Sequence, residues 1–241
     1  MTDGPIRGLL LDVDDTLVDT RGAFRHALIA VAQEYLREGI DPEVLVQFWR
    51  ADGSGWYRAH TRGEMTHREQ RMRRANELHA EFGGDPMDDE AYDIWDAGFE
   101  RYFREGWRAF DDAVPFLDAL DEAGIPYGAV TNAQSEYQRL KLEACGLERV
   151  EVFVGVDLFG IGKPDHRVFD EGVRRLGLAA GEVAYVGDEP DIDAVAAADA
   201  GLTGVWLDRP GARRGLESER SVSYPHVVSV AGLDEVLASL R

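Results

Sequence analysis

At 241 residues and 26.8 kDa, with 44% apolar residues, the chain can form one large domain or a domain with an insert, and can bury a sizeable core. Its net charge of −20 and pI of about 4.6 argue against duplex nucleic acid as a partner and describe a soluble, self-repelling surface. No run approaches the roughly 18 apolar residues of a membrane span. Asp3, Arg7 and Asp12 break up any signal-like apolar region, and the single cysteine, Cys145, allows no internal disulfide, so a cytoplasmic location is expected.

The first element is read from GLLLDVDDTLV, residues 8–18. Leu9, Leu10 and Leu11 form a continuous apolar run, as in a strand covered on both faces. The run ends in Asp12, with Asp14 and Asp15 close behind. Carboxylates about 4 Å apart repel by roughly 4 kcal/mol at an effective dielectric near 20. Either they point apart into water or a cation sits among them.

From about Thr20 to Trp107 the pattern is helical, with no convincing strand. Ala27, Ile29, Val31 and Leu36 belong to a first helix, and Val44, Leu45 and Phe48 to a second. In THREQRMRRANELHAEFGG, Thr66 and Glu69 form a capping box and Gly83-Gly84 end the helix, with Met72, Ala75, Leu78 and Phe82 on one face. Residues 94–103 give one more helix. From Ala113 helices and strands alternate: helix 114–122, strand 125–131, helix 135–145, strand 150–156, helix 167–176, strand 182–188, helix 193–200 and strand 203–207. A strand HVVSV and a last helix follow. This order indicates an α/β fold with a Rossmann-like parallel sheet and an inserted all-helical domain. The expected domains are 1–18 with 108–241 as the core and 19–107 as the insert. Residues 208–221, DRPGARRGLESERS, read as a flexible loop.

In parallel α/β sheets ligands bind at the carboxyl ends of the strands. There the sequence places Asp12, Asp14 and Thr16, then Thr131 and Asn132, then Lys163, set before Pro164 as in the first turn of a helix, and then Gly187, Asp188, Asp191 and Asp193. So many acidic oxygens call for a hard divalent cation, most naturally Mg²⁺.

These residues resemble the haloacid dehalogenase superfamily, mainly phosphohydrolases. Its four motifs stand in order: DxDxT as Asp12, Asp14 and Thr16; a strand-ending threonine as Thr131; a lysine before a helix as Lys163; and GDxxxxD as Gly187, Asp188 and Asp193. The resemblance spans about residues 6–207, and the helical insert matches the family's type-one cap. It implies Asp12 as a nucleophile that takes up the phosphoryl group, and Asp14 as the acid that protonates the leaving alcohol and then activates water. It implies Mg²⁺ between Asp12, the backbone carbonyl of Asp14 and Asp188, with Asp193 beside them. Lys163 would neutralise charge, and Thr16, Thr131 and Asn132 would serve substrate binding. The substrate would be a small phosphorylated metabolite, because a cap over a cleft excludes large partners and bulk water.

Asp14 separates the branches, since dehalogenases have no aspartate there. The 19–26 stretch lacks a clear match to a mutase's cap base. Two positions depart from the family pattern: Glu189 replaces a usual Ser or Thr, which could shift metal geometry, and Ala133 replaces a usual Gly, which could tighten the phosphate loop. TNAQSEYQRLKLEACGL resembles the nucleotidase and acylneuraminate-phosphatase branch. The alternatives are a 2-haloacid dehalogenase, a phosphomutase, or a phosphoaspartate signalling or binding module. Receiver modules, however, are about half this length and uncapped.

One charge anomaly stands out in the insert. Arg58, Arg62, Arg68, Arg71, Arg73 and Arg74 form a basic island against Glu64 and Glu69. It reads either as a helix face paired with acidic neighbours or as arginines that grip an anionic substrate. At least one of Arg58, Arg62, Arg68 and Arg71 is expected to contact the substrate beyond its phosphate. The six histidines show no ligand spacing. Trp49, Trp56, Tyr57, Trp95 and Trp107 read as core of the insert, and Asp191 as a surface loop residue.

Overall fold

The structure is a computed structural model that describes residues 5–61, 64–210, 224 and 226–240. Arg62 and residues 211–221 of the expected loop lie outside the described residues. The chain divides into two compact units, Met1–Thr20 with Arg108–Arg241, and Arg21–Trp107.

Among its described residues, the first unit holds a six-stranded, parallel sheet in the order β3-β2-β1-β4-β5-β6. The strands are β1 (Gly8–Leu11), β2 (Tyr127–Val130), β3 (Val152–Val154), β4 (Val183–Gly187), β5 (Thr203–Leu207) and β6 (Val227–Val230). β1 is central, and its three leucines are fully buried. Leu9 and Leu11 pack on one face with Phe116, Leu117 and Leu120 of α6 (Ala113–Ala123) and Leu142 of α7 (Ser135–Ala144). Leu10 packs on the other face with Phe169 and Val173 of α8 (His166–Leu176) and with Tyr185 of β4. Burial on both faces explains the run without alternation. Each leucine is worth roughly 1.5–3 kcal/mol relative to exposure. α9 (Ala196–Asp199) and α10 (Val236–Ser239) complete the unit.

Three details differ from the sequence pattern. The strand in 150–156 pairs over only three residues, because β3 is an edge strand beside a four-residue neighbour. The helix after Lys163 starts at His166 with Asp165 as its N-cap, so Pro164 precedes the first turn. The helix in 193–200 is a π-helical turn over Pro190–Val195 followed by α9.

The second unit consists, among its described residues, of α1 (Thr20–Tyr35, whose first residue belongs to the sheet unit), α2 (Pro42–Ala51), α3 (Trp56–Thr61), α4 (His67–Phe82) and α5 (Asp89–Glu105). The Thr66–Glu69 capping box starts α4, and Gly83 ends it at φ 79°. Trp49, Trp95, Tyr92 and Phe99 are buried with Leu28, Val31, Leu45 and Leu78 in a core of its own. No described helix is long and apolar enough to cross a membrane.

Candidate active site

Sheet register brings three strand ends together. Leu11 of β1 pairs with Ala129 of β2 on one side and with Val186 of β4 on the other. Asp12, Thr131 and Asp188 therefore emerge from adjacent strands. The Asp12 N–H donates to the Val186 carbonyl at 2.8 Å, which carries the sheet pattern one residue past β1. Carboxylate oxygens of Asp12, Asp188 and Asp193 lie within 4.8 Å of one another. Gly187 makes that approach possible, since a Cβ there would stand 2.4 Å from the Asp193 carboxyl carbon.

Lys163 lies inside this cluster. Its ammonium donates to Asp12 Oδ1 at 2.6 Å, to Asp193 Oδ1 at 2.6 Å and to the Tyr185 hydroxyl at 2.8 Å, spending all three protons. The side chain is almost wholly buried. Burial opposes its charge, yet Asp12 and Asp193 hold the ammonium well above the ordinary lysine range. For Asp12, burial dominates and pushes the carboxyl well above its usual range; Lys163 opposes the rise, and the charges of Asp193, Asp14 and Asp188 add to it. Lys163 is bonded to two of the three grouped carboxylates, and all three are hard oxygen donors. That donor set fits a divalent cation such as Mg²⁺. The Asp193 carboxylate also accepts the Glu189 N–H at 2.9 Å, which closes the 187–193 loop. The Glu189 carboxylate is not one of the three grouped acids.

Asp14 points elsewhere. Asp15 takes a left-handed φ of 60°, and the N–H groups of Leu17 and Val18 both donate to the Val13 carbonyl, so the chain turns sharply after β1. Asp14 Oδ1 accepts from Lys141 Nζ and Thr20 Oγ1, both at 2.5 Å, and Oδ2 accepts from Gln138 Nε2 at 2.5 Å. Burial pushes the Asp14 carboxyl up, but the Lys141 charge and the hydrogen bonds from Lys141, Thr20 and Gln138 hold it below its ordinary range.

The expected phosphate-loop residues divide. Thr131 is buried, with its Oγ1 accepting from Gln138 Nε2 at 3.0 Å and from the Ala133 N–H at 3.3 Å. Asn132 clamps a backbone: its Oδ1 accepts from the Lys163 N–H at 2.6 Å, and its Nδ2 donates to the Lys163 carbonyl at 2.9 Å. Its amide thereby holds the Lys163 backbone. Gly162 leaves room for this clamp, since a Cβ there would meet Asn132 Oδ1 at 2.1 Å. Thr16 lies in the turn that follows β1. It is fully buried, and its hydroxyl has no partner among the described residues. Its carbonyl accepts from Arg209, which is paired with Asp112.

Among the described residues of the basic island, Arg58, Arg68, Arg71 and Arg74 are paired within the helical unit. Arg68 bridges Asp89 and Asp93, Arg71 bonds Asp96 and lies over the Phe99 ring, Arg74 bonds the Trp49 carbonyl, and Arg58 pairs with Asp52. The reading as a paired helix face describes these contacts. Asp191 is exposed, but on the π-helical turn rather than in a loop. Sequence reasoning missed Thr20, Gln138, Lys141 and Tyr185. The one available signal was the Gln-x-x-Lys spacing on α7, which puts two polar residues on one face.

The haloacid dehalogenase-like hydrolase family matches residues 6–201. The chain belongs to that family. Within it, the chain is 31% identical over 212 residues to a phosphoglycolate phosphatase of Shigella dysenteriae, covering 84% of this chain and 81% of that one. It is 37% identical over 113 residues to a phosphoserine phosphatase of Thermus thermophilus, covering 46% of this chain. The match spans only 45% of that relative's length. Among solved structures, the HAD-hydrolase YfnB from Bacillus subtilis, bound to magnesium, superimposes with a TM-score of 0.77 at 24% identity, over 99% of this chain and all of that one. Dehalogenases and a β-phosphoglucomutase share the fold too. The hydrolase family is thus established, with its α/β core.

Proposed function

We propose that this hydrolase cleaves a small phosphate monoester, with Asp12 as nucleophile and Asp14 as acid and base. The observation that carries the reading is the carboxylate at position 14, two residues after Asp12 and set in a dedicated hydrogen-bond network of its own. A halide leaves without a proton, whereas an alkoxide needs one, so that carboxylate has a task only in ester chemistry. The relatives named for phosphoglycolate and phosphoserine support small phosphate esters as the substrate class.

In this reading an Asp12 carboxylate oxygen attacks phosphorus, the ester P–O bond breaks, and Asp14 protonates the departing oxygen from its minor protonated form, since Lys141, Thr20 and Gln138 favour the carboxylate. Asp14 then takes a proton from water, which attacks the aspartyl phosphate and releases inorganic phosphate and free Asp12. Lys163 holds Asp12 in line and offsets its charge, and the Thr131 hydroxyl donates to a phosphate oxygen. Asp12, Asp188 and the Asp14 carbonyl would hold Mg²⁺, with Asp193 beside them, and the ion would supply the positive charge that lets an anionic nucleophile meet an anionic ester.

The test is phosphate release from a panel of small esters, including phosphoglycolate, phosphoserine and nitrophenyl phosphate, with Mg²⁺ and with EDTA. Release that requires Mg²⁺ is expected, with Asp188→Ala sharply raising the Mg²⁺ needed. Absence of release from every ester, together with halide release from 2-chloropropionate, would overturn the reading.

A further inference from the structure

We propose that Gln138 and Lys141 are positioning residues that hold the acid–base carboxylate of Asp14 and the hydroxyl of Thr131 in one fixed relation. The proposal rests on the phosphohydrolase reading above and extends it to two residues outside the family motifs.

Both side chains are buried, Gln138 fully and Lys141 to 2% exposure. A lysine and a glutamine are rarely buried unless their polar atoms find partners, so the partners show what the burial serves. Three residues apart on α7, they present their polar ends from one helix face. Both ends reach the same carboxylate, 124 and 127 residues away in sequence: Lys141 bonds Oδ1 and Gln138 bonds Oδ2. With each oxygen held from α7, the plane of the Asp14 carboxylate is fixed, and Thr20 adds a further bond to Oδ1.

Gln138 does more than hold Asp14. Its amide nitrogen carries two protons, and the second bond runs to Thr131 Oγ1 at 3.0 Å. The amide orientation is determined by chemistry, because a carboxylate only accepts and the nitrogen must face it. Thr131 Oγ1 also accepts from the Ala133 N–H. With two donors on that oxygen, the threonine's own proton is directed away from both, as a phosphate-binding hydroxyl requires. Meanwhile Gln138 Oε1 is buried with no partner among the described residues. The amide is thus placed for its two donors while its acceptor goes unsatisfied, an arrangement that stability alone does not favour.

Lys141 is too buried to bind a substrate directly, so the effect proposed for it is the one it exerts on Asp14. Lys141→Met, Lys141→Arg and Gln138→Met are compared with the unmutated chain on an alkyl phosphate and on nitrophenyl phosphate, in the Asp14 and Asp14→Asn backgrounds. Folding is checked by circular dichroism. Lys141→Met should lower kcat on the alkyl ester about 10–100-fold, leave KM nearly unchanged, and regain part of the loss as Lys141→Arg. In the Asp14→Asn background, Lys141→Met should add nothing to the loss, because its route of action is already gone. Gln138→Met should also weaken inhibition by inorganic phosphate, through Thr131, whereas Lys141→Met should not. If Lys141→Met does not fold, Lys141→Arg and Gln138→Met decide the matter by the same readouts. An active chain whose folded variants keep full kcat, or whose losses persist undiminished in the Asp14→Asn background, overturns the positioning role and leaves the phosphohydrolase reading intact. An unmutated chain that releases phosphate from neither ester overturns both.

Discussion

The buried lysines of the sheet unit and the exposed Arg68 of the helical unit handle their charges in opposite ways. At the strand ends of the sheet unit, two buried lysines reach carboxylates more than a hundred residues away: Lys163 meets Asp12, and Lys141 meets Asp14. In the helical unit, more cations sit closer together in sequence, yet Arg68 and its partners Asp89 and Asp93 stand well out in solvent. The contrast teaches that charge density does not mark a site. Exposed pairs are worth little, while buried ones are costly unless each atom is matched, so a buried convergence points to function.

The largest effect that could break this comparison is chemical. Asp12→Asn removes the proposed nucleophile and should lower kcat on the order of 10³-fold or more while the chain stays folded. A folded variant retaining more than a few per cent of the activity would show that the buried convergence serves another purpose.

Next comes stability. Lys163→Met would leave Asp12 and Asp193 buried without their cation. Unfolding in denaturant with EDTA present should show a loss of about 3–5 kcal/mol. A loss below about 1 kcal/mol would place this pair with the surface bridges.

Asp112 lies between the extremes. It accepts both guanidinium N–H bonds of Arg209 and the Leu233 N–H. Burial pushes its carboxyl up, but Arg209 and the Leu233 N–H hold it below the ordinary range. The folded state therefore binds this proton less readily than the unfolded one. The resulting stability is complete above the ordinary aspartate value of about 3.9 and fades as pH falls through the lower folded value. Asp112→Asn should cost about 1–3 kcal/mol at neutral pH, and the difference from the unmutated chain should shrink as the solution is acidified below that range. A difference that does not change with pH would deny the ionic part of the contact.

The smallest effect is expected for Arg68→Ala, with no resolvable change in unfolding midpoint or in kcat/KM on any ester. A selective loss of kcat/KM for one substrate would instead make the island a recognition surface.

Much of this was readable in the sequence because it is local. An unbroken leucine run ending in aspartates, a capping box at Thr66 and Glu69, and strand–helix alternation after Ala113 each follow from neighbouring residues. The site was harder to read where it depends on pairing across the sheet. Tyr185 sits within an apolar strand and reads as core, yet its hydroxyl bonds Lys163 and the Val130 carbonyl. Gln138 and Lys141 read as an ordinary polar helix face until the fold buries that face. Asn132 lies beside Thr131 in sequence and invites the same role, but its amide turns back onto Lys163. The helix α3 has six residues, too few for periodicity to show.

The most direct test of the account uses Asp14→Asn and nitrophenyl phosphate in a rapid-mixing experiment with Mg²⁺ present. Nitrophenolate leaves without a proton, so the first step should survive, while water activation in the second step should fail. The account predicts a burst of nitrophenol of about one equivalent per site followed by slow turnover, with activity on alkyl phosphates almost abolished. Unchanged steady turnover of both ester types by that variant would contradict it.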